Sequence, residues 1–199
     1  MAQLEPLSCE LEKQRSEYVQ LLRAGQLSPY ALPAVAAAVE EAVLSRAWAR
    51  TRNHYETVGG RIYVLSVEGT HRRIKVGTAG GVGSRIATHL NEYHANGHGL
   101  VDAWISNQLL DARSHETGLH KILRTLFHQP SYRREEYPDG DFDRVCELVA
   151  MVDAKYGLTE DQVQFHEWER QKQARAGEDE LLRWVEHQIG EASGDTGSS

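Results

Sequence analysis

Apolar residues recur at helical spacing from the start of the chain. Leu4, Leu7, Leu11, Tyr18, Leu21 and Leu22 stand among charges, which predicts a helix over residues 4–24 that Gly25 ends. Ser28 and Pro33 then open a second helix, rich in Ala and Val, running to about Arg52. Residues 1–58 therefore read as a helical hairpin. The period changes after Gly59-Gly60. Arg61-Ile62-Tyr63-Val64-Leu65-Ser66-Val67 is a strand sequence, Glu68-Gly69-Thr70-His71 a turn, and residues 72–77 the returning strand. A helix follows over 82–96, with Ile86 and Leu90 on one face. Leu100, Val101, Ala103, Trp104 and Ile105 mark a third strand over 99–105. Residues 111–127 carry an apolar stripe of Leu119, Ile122, Leu123 and Leu126, again helical. Pro130 and Pro138 bracket a loop, and a further helix spans Asp141 to about Lys155. The expected fold is α+β, with a small three-stranded sheet flanked by helices over residues 59–158 and helical N- and C-terminal extensions. The C-terminal extension covers 159–190 with an interruption at Gly177, and the tail 191–199 is expected to be disordered.

Composition narrows the class. With 40% apolar and 26% charged residues, the chain reads as an ordinary soluble globular protein. The longest apolar stretch, Ala31 to Val43, is broken by Pro33, Glu40 and Glu41 and is too short to span a bilayer. No basic segment leads into an apolar core at the N-terminus, so no signal peptide is expected. Cys9 and Cys146 alone make neither a disulfide framework nor a zinc cluster, which points to a reducing cytoplasm. The net charge of −7 argues at first against a nucleic-acid partner. The charge is uneven, however: residues 146–199 hold 12 acidic and 5 basic side chains, whereas residues 59–145 hold 10 and 11. A near-neutral middle can carry a basic groove, and the acidic C-terminal quarter reads as a solvated helix face.

One grouping carries chemistry. Tyr63 lies in the first hairpin strand and Lys75 in the second. Arg85 and His89 are four apart, on one helix face, as are Glu116 and His120 on the next helix. A carboxylate holds a hard cation. A guanidinium stabilises charge growing on a phosphate. A phenol or imidazole prepares an attacking water. Each residue taken alone also has a structural reading, as a packed strand tyrosine or a solvated cation.

The spacing of these residues resembles the GIY-YIG nuclease superfamily, in its bacterial and phage branch. Ile62-Tyr63 matches the first motif and Lys75-Val76-Gly77 the second, with Lys75 in place of tyrosine. Arg85 falls eight residues after Gly77 and His89 four later. Glu116-Thr117-Gly118-Leu119-His120 resembles the family's metal-binding glutamate motif, and Glu136-Tyr137 its later Glu-aromatic pair. The likeness covers about residues 59–150. It implies a DNA endonuclease that hydrolyses phosphodiester bonds with one Mg²⁺ or Mn²⁺ and leaves 5′-phosphate and 3′-hydroxyl ends. Tyr63 would be the general base or position the water. Lys75 would favour its phenolate or contact the phosphate. Arg85 would clamp the phosphate, His89 would orient water or phosphate, and Glu116 would hold the metal, with His120 behind it. Arg61 replaces the first motif's glycine, Ser84 stands where lysine often precedes the arginine, and the asparagine that some members use late in the domain has no evident counterpart.

Rival signals are weaker. The run Gly77-Thr78-Ala79-Gly80-Gly81-Val82-Gly83-Ser84 lacks the lysine of a phosphate loop, and Ile86 stands where a dinucleotide motif has its third glycine. His115 and His120 are five apart, so the zinc-peptidase pattern is not met. Arg133 and Arg134, and less so Arg46 and Arg50, are candidate contacts to a nucleic-acid backbone. DNA is expected over RNA. Cutting both strands would take a homodimer or a second event. The alternatives are a non-catalytic nucleic-acid-binding protein on a degraded nuclease fold, and an interaction module acting through its acidic C-terminal helices.

Overall fold

Every residue of β1 (Arg61–Glu68) is buried, which requires cover on both faces of its sheet. The computed structural model supplies it; residues 7–25, 33–51, 58–127, 135–138 and 140–194 are described, with side chains up to Glu186. β1 pairs antiparallel with β2 (Arg73–Ala79) on one side and with β3 (Gly99–Ile105) on the other. A short β4 (Glu136–Pro138) extends the far side of β2, giving the antiparallel order β3-β1-β2-β4. Alternation sends successive side chains to opposite faces. Tyr63, Leu65 and Val67 meet α1 (Cys9–Arg23), α2 (Pro33–Ala49) and α3 (Val82–Ala95) in one cluster with Tyr18, Val39 and Ile86. Ile62 and Val64 meet α4 (Ala112–Leu126) and α5 (Phe142–Tyr156) in a second, with Leu119 and Val145. The fold is thus mixed α+β, a sheet between two helical layers.

The N-terminal helices are tied to the sheet by polar bonds. Arg15 Nε donates to the Val101 carbonyl at 2.8 Å, and Arg23 forks onto the wholly buried Glu68 at 2.6 and 3.0 Å. Arg46 pairs with Asp102. Arg50 donates to the Ile105 carbonyl at 2.8 Å and lies 4.1 Å above the Trp104 ring.

Three expectations need correction. The sheet has four strands rather than three, because Glu136–Pro138, read as loop beside Pro138, adds an edge strand. An edge tolerates a proline that a central strand would not, and three residues are too few to show a period. The α4 stripe is rotated: Leu119, His120 and Leu123 are buried, while Ile122 and Leu126 are 52% and 38% exposed. Finally, α6 (Glu160–Gly194) runs through Gly177 without interruption and takes in the first residues of the expected tail; 195–199 lie outside the described residues. A single glycine costs a helix only about 1 kcal/mol, too little to break one this long.

The chain divides into two compact units, Met1–Thr159 and Glu160–Ser199. No helix among the described residues is long and apolar enough to cross a membrane.

Gly99 lies against α1. A Cβ there would sit 2.3 Å from the Tyr18 hydroxyl oxygen. Gly99→Ala is expected to lower stability by about 1–3 kcal/mol through overpacking, read by urea unfolding. An unchanged midpoint would show that α1 does not seat on β3 in this way.

Candidate active site

The cross-strand register starts the site. Tyr63 stands opposite Gly77, and Leu65 opposite Lys75. A Cβ at Gly77 would lie 2.4 Å from the Tyr63 hydroxyl oxygen and 2.6 Å from Cζ, so the phenol occupies the space a side chain would fill. β4 pairs only with Arg73, Ile74 and Lys75, which leaves Gly77–Ala79 without a partner on that side among the described residues. The candidate residues gather around this open end of β2.

Helix α3 crosses one face and places His89 Nε2 at 3.0 Å from the Tyr63 hydroxyl. Burial pushes the Tyr63 phenol up to about 12, although the neighbouring Arg85 guanidinium pulls against it. Burial, with the charges of Lys75 and Arg85, holds the His89 imidazole below its ordinary value. At neutral pH the phenol therefore keeps its proton and donates it to an imidazole nitrogen that is free to accept. Arg85 is on the exposed side of α3, and Lys75, buried, is paired with Glu135.

Helix α4 approaches from the other face, its start capped by Asp111, which accepts from the Ser114 N–H at 3.2 Å. It presents Glu116, whose Oε2 accepts from the Thr78 hydroxyl at 2.7 Å. Burial pushes the Glu116 carboxyl up, but His120, Thr78 and the Lys75 charge outweigh it, and the net shift is downward. The carboxylate is ionised at neutral pH. His120 Nε2 stands 3.6 Å from Glu116 Oε1.

Tyr63, Lys75, Arg85, His89 and Glu116 are thus drawn together, with His120 behind Glu116. Arg46 and Arg50 are engaged with β3, as described above. Arg133 and Arg134 lie outside the described residues. His94 bonds Glu40 at 2.6 Å and His115 stacks on Tyr156. Thr78, Glu135 and Tyr137 carry contacts that the sequence reading assigned no role. Thr78 had a signal, a strand hydroxyl three residues from Lys75, and Tyr137 had one in the Glu136-Tyr137 pair; the contact of Glu135 with Lys75 left no trace in the sequence.

The donor set limits the metals that fit. Among the described residues, no group of three or more His, Cys, Asp or Glu side chains could hold an ion. A caged Zn²⁺ or Ca²⁺ needs more ligands than Glu116 and its neighbours offer. Mg²⁺ and Mn²⁺ suit a lone carboxylate, since Mg²⁺ keeps several waters and uses one or two carboxylates together with substrate phosphate oxygens.

Gly77→Ala tests the geometry. The new methyl must expel the Tyr63 ring, and stability is expected to fall by about 1–3 kcal/mol. Tyr63, whose phenol is pushed up to about 12 by burial, should shift toward the ordinary value of about 10, read by ultraviolet titration as the difference from Tyr63→Phe, which sets aside Tyr137, also raised by burial. A titration curve unchanged from wild type would rule out the contact.

Compared with family models, curated proteins and solved structures, the chain matches none.

Proposed function

We propose that the chain is an endonuclease of the GIY-YIG type, hydrolysing phosphodiester bonds in DNA with one Mg²⁺ or Mn²⁺. The observation that carries this reading is the convergence of Tyr63, Lys75, Arg85, His89 and Glu116, from four elements, on the open end of β2. The fine assignment to a GIY-YIG core rests on the order and spacing of those residues.

The chemistry follows from the proton positions. Tyr63 is only 1% exposed, and the Arg85 guanidinium is near enough to pull its pKa down against burial. On substrate binding, Arg85 transfers from the phenol to the phosphate, where its forked donors match the oxygens, and the phenol oxygen opens to water. The attacking water gives a proton to Tyr63 as Tyr63 passes its own to His89 Nε2. No free phenolate forms, and the high pKa of Tyr63 is no obstacle. The phosphorus–3′-oxygen bond breaks, the 3′-oxygen takes a proton from solvent, and the phosphate stays on the 5′ side. Lys75 and Arg85 offset charge on the phosphate. Glu116 would hold the cation, which when bound supplies Lewis-acid stabilisation of the leaving oxygen.

A second reading, a non-catalytic nucleic-acid binder, draws on the pairing of Lys75 with Glu135, which leaves that cation neutralised. A plasmid-nicking assay separates the two. Wild type with Mg²⁺ or Mn²⁺ is expected to convert supercoiled DNA to open circles; Glu116→Ala and excess chelator should each abolish conversion. Binding to DNA with no cutting of DNA or RNA would establish the second reading.

The pH profile carries a further expectation. His89 acts as a neutral base with a depressed pKa, so kcat/KM should rise with pH through a midpoint below about 6.5 and level off by neutrality. His89→Ala should remove that acid limb and cost about 10²–10⁴ in rate. An acid limb that survives in His89→Ala assigns the base elsewhere.

A further inference from the structure

The pair His120–Tyr137 takes no part in the steps above, yet it is built into the site. The Tyr137 hydroxyl lies 2.6 Å from His120 Nδ1, with the rings stacked at 5.9 Å and both side chains buried. Tyr137 stands in β4 opposite Ile74 and touches the Phe127 ring, so it is held by the sheet. The other imidazole nitrogen, Nε2, is buried without a hydrogen-bond partner. It points at Glu116 Oε1 from 3.6 Å, beyond hydrogen-bond length, while Thr78 holds Oε2.

A neutral imidazole has one donor and one acceptor nitrogen. If Nδ1 carried the proton, the lone pair of Nε2 would face an anionic carboxylate. If the Tyr137 hydroxyl donates to Nδ1, Nε2–H faces it instead, and the arrangement is attractive. We propose that Tyr137 is a positioning residue: it fixes the proton of His120 on Nε2, and this N–H, with the Thr78 hydroxyl, orients the Glu116 carboxylate to receive a divalent cation. The proposal rests on Glu116 being the metal ligand, as proposed above. It gives β4 a purpose in the site, since the strand is the only element that brings a hydroxyl to His120 among the described residues.

Mn²⁺ binding to the full chain in saturating dimethyl phosphate, a phosphodiester that supplies the substrate's oxygens, followed by electron paramagnetic resonance of free Mn²⁺, tests both layers. Wild type is expected to bind one ion and Glu116→Ala none. Tyr137→Phe, folded by circular dichroism, is expected to bind about 10–100-fold more weakly, the range for lost outer partners of a metal ligand. Tyr137→Phe binding Mn²⁺ as wild type does, while Glu116→Ala does not, overturns the positioning role and leaves the metal reading intact. Glu116→Ala binding as tightly as wild type overturns both. Nitrogen-15 spectra of the wild-type histidines, with His120 assigned from His120→Gln, settle the matter whether or not Tyr137→Phe folds. The Nε2–H form is expected, and the Nδ1–H form overturns the proposal.

Discussion

The phenol of Tyr63 lies where the side chain of residue 77 would be, and position 77 has none. This exclusion fixes more than one ring. It holds only in the register that sets Tyr63 opposite Gly77, and a slip of one residue would turn Tyr63 to the other face. The same register carries Lys75 to the Tyr63 face and Thr78 to the face of α4. Two helices can then serve one site from opposite sides of a single strand, α3 with His89 and α4 with Glu116. The site exists where β2 outruns β4, since a longer β4 would cover the edge on which these groups meet.

Burying ionisable groups at such a place needs counter-charges. A buried ammonium without a partner is strongly disfavoured, and Glu135 supplies that partner for Lys75. Glu135 is itself 41% exposed, so its carboxylate can leave for water at little cost in solvation. In the proposed reaction a phosphate would be the natural replacement, being an anion with more oxygens to offer. The overall charge of −7 bears less on this exchange than it first suggests. Charges separated by more than about 8–10 Å through solvent are largely screened at physiological ionic strength, and a phosphate at Lys75 responds mainly to the groups beside it.

Much of the fold was legible because burial leaves a periodic trace. β1, β2, β3 and the helix α3 between them follow from apolar spacing and from glycine-bearing turns. What escaped has physical causes. β4 has three residues and ends in proline, so no period could announce it. On α4 the buried face includes His120, because its Nδ1 is satisfied by Tyr137, whereas Ile122 stays exposed; hydrophobicity alone rotates that helix the wrong way. Arg46 and Arg50 look like free cations in a sequence, yet their partners lie 56 and 55 residues away in β3. In the site, Tyr63, Arg85, His89 and Glu116 could be selected by chemistry and spacing. Their settings could not: the pairing of Lys75 with Glu135 spans 60 residues, and Glu116 meets Thr78 across 38.

In the proposed reaction, the same desolvation that makes Tyr63 a poor acid would make the pair Tyr63–His89 a usable base. Burial raises the phenol and lowers the imidazole, and both shifts keep the pair neutral in the free protein. A phenolate standing alone would demand removal of a proton at a pKa of about 12. A concerted passage through the hydroxyl leaves Tyr63 neutral before and after, and places the positive charge on His89. That imidazolium would arise, in the proposed reaction, beside a phosphate gaining negative charge, lowering the barrier as the charge develops. Of the cations that depress His89 in the free protein, Lys75 is already paired with Glu135, and a bound phosphate would newly offset Arg85. In the proposed reaction, substrate binding would therefore raise the proton affinity of the base when it is required. The proposed reaction would then need no permanent strong base.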